Sequence, residues 1–196
     1  MKRWMFLMAG TALLAGCASL SSVVSDVSTF GEWPAGRQPG TYAFERLPSQ
    51  EARAGEVEPL ETNARPALAK AGFKPVAAGQ EPDVLVQVGA RVSRADRSPW
   101  DDPFWWRGSV GRWRHGPWFG PGWGLSYRYD TPRYDREVAL LIRDRASGKP
   151  LFEARASSEG FSRADSTMLG AMFSAALSDF PKLGVNPRSV TIATSP

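Results

Sequence analysis

The first seventeen residues constrain the fold most, because they form a segment that a packed domain does not use. Lys2 and Arg3 precede an apolar run from Trp4 to Leu14, and small residues then lead to Cys17. The run is too short to cross a hydrocarbon core, which needs about 20 residues. A positive start, an apolar stretch and small residues before a cleavage point are typical of a secretory signal peptide. We therefore expect residues 1–16 to be removed.

The sequence Leu14-Ala15-Gly16-Cys17 resembles the lipobox of bacterial lipoproteins. In those proteins the cysteine becomes the first mature residue and carries lipid. The alternatives are an ordinary signal peptide or a buried N-terminal helix, but this cysteine is the only one in the chain and stands at the cleavage point. The resemblance implies a covalent lipid on Cys17 and leaves no free thiol for other chemistry. We expect no other cofactor and no metal.

The segment after Cys17 is rich in serine and small residues, and it predicts a flexible tether over residues 17–38. In bacterial lipoproteins, aspartate directly after the lipidated cysteine tends to retain the protein at the inner membrane. This chain has Ala18 at that position. The resemblance therefore implies the outer membrane, with the domain on the periplasmic face.

Charge and length limit the remaining possibilities. The chain has 196 residues and a formal net charge of +4, of which Lys2 and Arg3 contribute two, so the mature side chains carry 4 − 2 = +2. Nucleic-acid binding needs a concentrated basic surface, which this balance does not provide. The length suits one domain, which we place at residues 39–196.

Hydrophobic periodicity predicts an α+β domain. We expect strands at Thr41–Leu47, Asp83–Val92, Glu137–Asp144 and Leu151–Ala156, and Ser189–Thr194 forms either a last strand or a tail. Leu151–Ala156 alternates apolar and charged residues, which is typical of a sheet with one face on a core.

Two helices are predicted from apolar residues spaced three and four apart. The first runs from Val57 to Ala71, and Pro66 either kinks it or delays its start to Thr62 or Asn63. The second begins at Asp165 or Ser166 and has an apolar stripe from Leu169 to Phe180. The predicted fold is a small, mostly antiparallel sheet in the order β-α-β-β-β-α, with two helices on one face.

This order, with particular residues, resembles the bacterial family known as the domain of unknown function 4136 (DUF4136). The matching segments are Tyr42-Ala43-Phe44, Leu68 to Phe73, Pro82 to Val86, Tyr134, Asp144 with Ser147 to Lys149, and Phe180-Pro181. The resemblance covers residues 28 to 182 apart from a long insertion. Members usually have glycine where this chain has Arg136, and a tryptophan-arginine-glycine run where it has Phe152-Glu153-Ala154. The family has no established activity, so the resemblance implies no catalytic residue.

The insertion, at about residues 96–132, contains six of the eight tryptophans among many glycines and prolines. Glycine and proline at this density exclude a long regular element. Indole rings stack on sugars and favour membrane interfaces, and arginines pair with phosphate or carboxylate groups. The candidate surface comprises Trp100, Trp105, Trp106, Arg107, Arg112, Trp113, Arg114, Trp118 and Trp123. The alternatives are structural cover for the open face of the sheet, or disorder.

No catalytic constellation is evident. His115 is the only histidine, and nothing near it in sequence would orient it as a base. Asp101 and Asp102 are typical of solvated turn residues, and Asp83 and Asp144 of turn or cap residues. We therefore expect a non-enzymatic envelope lipoprotein with an interaction or assembly role. The alternative is a module that binds peptidoglycan, lipopolysaccharide or another anionic lipid through the insertion.

Overall fold

The computed structural model of the chain describes residues 21–95 and 133–194. The strands are β1 (Ser21–Gly31), β2 (Thr41–Phe44), β3 (Lys74–Pro75), β4 (Val84–Ala95), β5 (Arg133–Asp144), β6 (Pro150–Gly160) and β7 (Arg188–Thr194). The helices are α1 (Pro48–Glu51), α2 (Ala54–Lys70) and α3 (Ser166–Ala176). None of the helices in these two ranges is long and apolar enough to cross a membrane.

All of these strands belong to one sheet, in the order β3-β2-β4-β5-β6-β1-β7. Strand β2 is parallel to β3 and to β4, whereas the other neighbouring pairs are antiparallel. The parallel pairing of β2 with β4 is possible because α1 and α2 form the crossover that parallel neighbours require. Strands β1 and β5 therefore run in one direction, and β4, β6 and β7 run in the other.

One face of the sheet is buried under α2 and α3. Alternate residues of the central strands point into this core, as period-2 geometry requires; they are Val84, Val86, Val88, Val138, Leu140, Ile142, Phe152, Ala154 and Ala156. The helices contribute Leu68, Met172 and Phe173, each fully buried. Phe180 closes the core against Trp33 and Phe152, with ring centroids 4.7 Å and 5.1 Å away.

The predicted fold class is wrong in strand number, element order and sheet type. The sheet is mixed and has seven strands rather than being small and mostly antiparallel, and three helices are present in the described ranges. The observed order is β-β-α-α-β-β-β-β-α-β, not β-α-β-β-β-α. The parallel pairs were missed because crossover pairing is a long-range property that leaves no local period in the sequence.

Strand β1 occupies much of the segment that the sequence predicted to be a tether, residues 17–38. It lies between β6 and β7, and its residues Val23, Ser25, Val27 and Thr29 point into the core. Two of these four inward residues carry hydroxyl groups, so the apolar alternation that marks a strand is weak here. A tether description therefore does not hold for residues 21–31.

The predicted helices exist with different limits. Helix α2 begins at Ala54 and continues through Pro59 and Pro66, so the late start, one of the two alternatives at Pro66, is excluded. Gly72 follows the end of the helix with a φ of +95°. Asp165 caps α3, because its Oδ1 accepts a hydrogen bond of 2.8 Å from the Met168 N–H. Residues Arg188–Thr194 form strand β7, so the last predicted segment is a strand and not a tail.

Candidate functional site

The two ends of the sheet are connected to different parts of the chain. At one end, β1 begins at Ser21, β4 ends at Ala95, β5 begins at Arg133 and β6 ends at Gly160. The insertion joins Ala95 to Arg133, so we call this the insertion end. The chain that leads back to Cys17 leaves from the same end, because β1 and β5 run in the same direction. We call the opposite end, where Asp144 and Pro150 flank a tight connection, the turn end.

A buried arginine lies near the insertion end on the core face. Arg136 is only 4% exposed, and its Nε and Nη2 donate to the Ser162 carbonyl at 3.1 Å and 2.6 Å. Gly160 provides the space, since a Cβ there would lie 2.5 Å from Nη2 of Arg136. The side chain thereby fixes the segment that follows β6. This is the position at which the related family usually has glycine.

Polar and apolar groups are also exposed at the insertion end. Arg133 lies 3.4 Å from the Glu159 carboxylate, and its guanidinium is 6.0 Å from the ring centroid of Phe161. Phe161 is 68% exposed. A cation beside an exposed aromatic ring is an arrangement that suits a polar-apolar boundary.

The open face of the sheet has a depression of about 430 Å³ near this end. Its lining residues are Val24, Asp26, Asp135, Arg136, Ser157, Ser158 and Glu159. Three of them are carboxylates on adjacent strands. Within residues 21–95 and 133–194, however, no group of three or more histidine, cysteine, aspartate or glutamate side chains is placed to hold a metal ion.

At the turn end, two carboxylates are used to hold backbone. Asp144 accepts hydrogen bonds from the Ser147 N–H at 2.9 Å, the Ser147 hydroxyl at 2.7 Å and Arg37 at 2.9 Å. These bonds lower the pKa of Asp144 to about 2. Asp83 accepts from the Thr41 N–H and hydroxyl at 2.7 Å and 2.8 Å, which lowers its pKa also. The turn role expected for Asp144 is confirmed, whereas Asp83 links the start of β4 to Thr41 at the start of β2 and has neither a turn nor a cap role.

A second depression, of about 370 Å³, adjoins these bonds at the turn end. It is lined by Glu32, Pro34, Arg37, Asp144, Ser147, Lys149 and Leu151. Two cationic and two anionic side chains face it, and Arg37 is already paired with Asp144. The depression therefore offers no excess charge to a ligand.

The site residues predicted from sequence lie outside the described residues. These are Cys17 for lipidation, and Trp100, Trp105, Trp106, Arg107, Arg112, Trp113, Arg114, Trp118 and Trp123 for a binding surface. His115, Asp101 and Asp102 also lie outside them. The structure instead locates where this segment joins the fold. The sequence indicated Arg136 only as a departure from the family, because the strand predicted there began at Glu137 and not at Arg133, where the strand begins.

Comparison with known proteins gives a family and a fold. The sequence model of the family described as "Domain of unknown function (DUF4136)" matches residues 26–182, which confirms the resemblance. No curated protein matches the sequence. A PDZ domain protein from Parabacteroides distasonis has a similar structure, with a TM-score of 0.51 and 13% identity over 94% of this chain. The similar region makes up 42% of that protein's chain, and at this identity the similarity shows a common fold only.

A weaker similarity is found to a PelC dodecamer from Paraburkholderia phytofirmans. Its TM-score is 0.37 at 14% identity, over 79% of this chain and 95% of that one. Similarity at this level carries no conclusion for the present chain.

Proposed function

Because the chain belongs to the DUF4136 family, whose function is unknown, we propose a role from its own residues: a lipid-anchored lipoprotein of the bacterial outer membrane. The domain faces the periplasm and supports interaction or assembly without catalysing a reaction. The observation that carries the proposal is the short distance along the chain between the lipobox cysteine and the first strand.

That spacing would hold an anchored domain close to the bilayer. Strand β1 begins at Ser21, four residues after Cys17. Four residues span at most about 14 Å when fully extended. Because the first residues of β1 pair with β7, this segment cannot lengthen without unpairing core residues such as Val23, which lies opposite Ile192. A lipid on Cys17 would therefore direct the insertion end toward the membrane.

The arrangement of the carboxylates supports a role without catalysis. General acids need a pKa raised toward neutrality, which burial or a neighbouring like charge provides. Asp83 and Asp144 show the opposite, because hydrogen bonds from Thr41 and Ser147 lower the pKa of each. Asp144 holds the turn before β6, and Asp83 holds the start of β2.

The anchor is tested by the substitution Cys17→Ser in cells that make the full chain. We expect an unprocessed precursor without lipid, whereas the matched variant Ser19→Ala, two residues away, should be processed and acylated. Mass spectrometry of the membrane fraction distinguishes the two products. Normal processing of Cys17→Ser and release of a soluble mature form would contradict lipidation and indicate an ordinary signal peptide.

The choice of membrane is tested separately with Ala18→Asp. Aspartate at this position is the residue that retains lipoproteins at the inner membrane, so the variant should move from the outer to the inner membrane fraction. Density-gradient separation of the two membranes gives the readout. An unsubstituted chain found in the inner membrane would contradict the outer-membrane assignment.

A second candidate function is binding of glycan or anionic lipid through the Trp- and Arg-rich insertion. It is favoured by the position of Ala95 and Arg133, because both ends of the insertion lie at the end of the sheet that leads to Cys17. Segments attached there would lie near the headgroups, where indole and guanidinium groups are favourable.

Deletion of residues 101–122 tests this alternative. The deletion should abolish pull-down of the purified chain on peptidoglycan or lipopolysaccharide, while Arg145→Ala, which removes a cation at the turn end, should bind as the unsubstituted chain does. Binding that survives the deletion, or that never occurs with the intact chain, would reject the alternative without affecting the anchor.

A further inference from the structure

Among residues 21–95 and 133–194, strand β7 forms one edge of the sheet and lacks the usual protection of an edge. Its seven residues, Arg188–Thr194, include no lysine, no acidic residue and no proline. Its only charged side chain, Arg188, is paired with Asp179 at 2.5 Å. An edge strand presents unpaired backbone N–H and C=O groups, and proteins normally guard them with charge, proline or a short strand.

The other open edges of the same sheet are guarded. Strand β3 has only two residues, and one of them is Pro75. Strand β4 extends beyond its pairing with β2, but there the Gln50 side chain donates to the Val88 carbonyl at 2.8 Å. Arg91 and Arg94 are exposed farther along this strand. The absence of comparable features on β7 is therefore specific to that edge.

Two apolar side chains of β7 are only partly covered at this edge. Val190 and Ile192 face the core side and are only partly buried, although they pack against the core. A further strand beside β7 would place its alternate side chains next to them, which is the contact that stabilises paired strands. An uncharged segment with apolar residues at every second position has the matching chemistry.

A fixed loop at the start of β7 adds two apolar groups. The Asn186 side chain accepts from the Thr29 N–H at 2.9 Å and donates to the Thr29 carbonyl at 2.7 Å. The loop is thereby held against β1, while Leu183 and Val185 are 48% and 81% exposed. Exposed apolar side chains on a loop fixed in this way are suited to contact with a partner, since little entropy is lost on binding.

A second copy on the same membrane is a poor occupant of this edge, provided that the lipid anchor of the proposed function exists. Antiparallel pairing of two β7 strands would place the two anchors at opposite ends of the shared ladder. Over seven residues this offset is about 20 Å along the strands. Both anchors would then reach one membrane only if the strands lay flat on its surface. The short link to Cys17 instead holds the start of β1 at the membrane, so that the strand runs away from the surface.

We propose that β7 receives an extended, uncharged segment of another envelope protein, which joins the sheet as an eighth strand. Main-chain hydrogen bonds provide affinity, and contacts with Val190, Ile192 and the 183–185 loop provide selectivity. This proposal rests on the interaction role proposed above and names the kind of partner that the role requires.

Photocross-linking in cells tests the proposal on the full chain. A benzoylphenylalanine residue replaces Ala193, which is exposed on β7, and the cross-linked peptides are identified by mass spectrometry. The blocking variant is Thr191→Lys, which adds a charge to the edge. The matched control is Ser157→Lys, which adds the same charge to an exposed position of β6, a strand paired on both sides.

We expect a cross-link to an uncharged segment of a different protein, lost in Thr191→Lys and retained in Ser157→Lys. Unchanged thermal unfolding of both purified variants would show that the loss is local. A cross-link to β7 of a second copy, a cross-link that persists in Thr191→Lys, or no cross-link would overturn the proposal. Fractionation of the same cells reports the anchor independently, so a chain that is soluble yet cross-linked would contradict only the proposed function.

Discussion

Strand β1 and the β5–β6 hairpin lie side by side in the sheet but depend on different contacts. The hairpin is local, because Arg143 pairs with Pro150 across a tight connection held by Asp144 and Ser147. In β1, Asp26 pairs with Ser157, which is 131 residues away. For an otherwise unfolded chain, closing the longer separation costs roughly 2.5 kcal/mol more in entropy.

The comparison shows how a strand with weak local signals is stabilised. The hairpin carries strong alternation and its own turn chemistry, whereas β1 has Ser25 and Thr29 at inward positions. Strand β1 compensates with neighbours on both sides and with the link between Thr29 and Asn186. It should therefore be the more sensitive of the two to changes in distant residues.

The largest expected effect comes from a charge placed inside β1. Val27 is fully buried between β6 and β7, and Val27→Asp should lower the free energy of unfolding by about 3 kcal/mol or more, because it removes an apolar core contact and takes a carboxylate out of water beside Arg188, which already pairs with Asp179. Val24→Asp is the matched control, since Val24 is 53% exposed on the other face. Urea unfolding of the two variants gives the measurement. Equal effects would show that β1 is not packed as a strand.

The next effect concerns the long-range link of β1. Asn186→Ala removes both hydrogen bonds to the Thr29 backbone and should destabilise the protein by about 1–3 kcal/mol. Gln80→Ala, at an exposed turn, should change the unfolding midpoint little. Hydrogen exchange should show faster opening of β1 and β7 than of the hairpin. Uniform acceleration across the sheet would mean that β1 has no separate dependence on this link.

A smaller effect should appear as a pH dependence of stability that originates in the hairpin turn. The folded pKa of Asp144 is about 2, below its ordinary value of 3.8, so the unfolded chain binds the proton more readily. The stability contributed by this carboxylate is present above the ordinary pKa and is lost as the pH falls through about 2. Asp144→Asn should reduce the change of the unfolding midpoint with pH between these values. The control Asp135→Asn, at an exposed position of β5, should leave that pH dependence in place. An unchanged slope in Asp144→Asn would assign the dependence to other groups.

The smallest effect tests the cost of the polar residues in β1. Ser25 is 1% exposed, and within the described residues its hydroxyl has no hydrogen-bond partner. Ser25→Ala should therefore be neutral or raise the free energy of unfolding by less than about 1 kcal/mol. Thr29→Ala, which removes a hydroxyl that accepts from Gly184 N and Arg188, should be destabilising. A loss of stability in Ser25→Ala would reveal a partner for this hydroxyl.

Much of the packed core was predictable from local pattern. The alternation in β5 and β6, the cap at Asp165 and the stop at Gly72 all follow from short-range rules that the structure satisfies. The missed elements are β1, the two-residue β3 and the four-residue α1, which lack a strong period or are too short to have one. Their existence depends on neighbours that are distant in sequence.

Some features of the candidate site were also predictable from the sequence, and others were not. The turn role of Asp144 was predictable from residue type and position, because aspartates at strand ends commonly bind nearby backbone N–H groups. The link from Asp83 to Thr41, 42 residues away, was not predictable in this way. The burial of Arg136 against Ser162, and the unguarded edge of β7, were not predictable. Strand order decides which strand is an edge, and strand order is not encoded in any single segment.

The sequence by itself determined the family and the apolar face of each central strand, while the lipobox at Cys17 stays a prediction. These are properties of short segments, in which residue type and spacing act through local geometry. Only the tertiary structure decided that β1 is part of the sheet, that the insertion and β1 start from the same end of it, and that β7 is the edge strand beside β1 in the described part of the chain. Each of these depends on pairing between segments more than 30 residues apart, where packing of the whole core selects the arrangement.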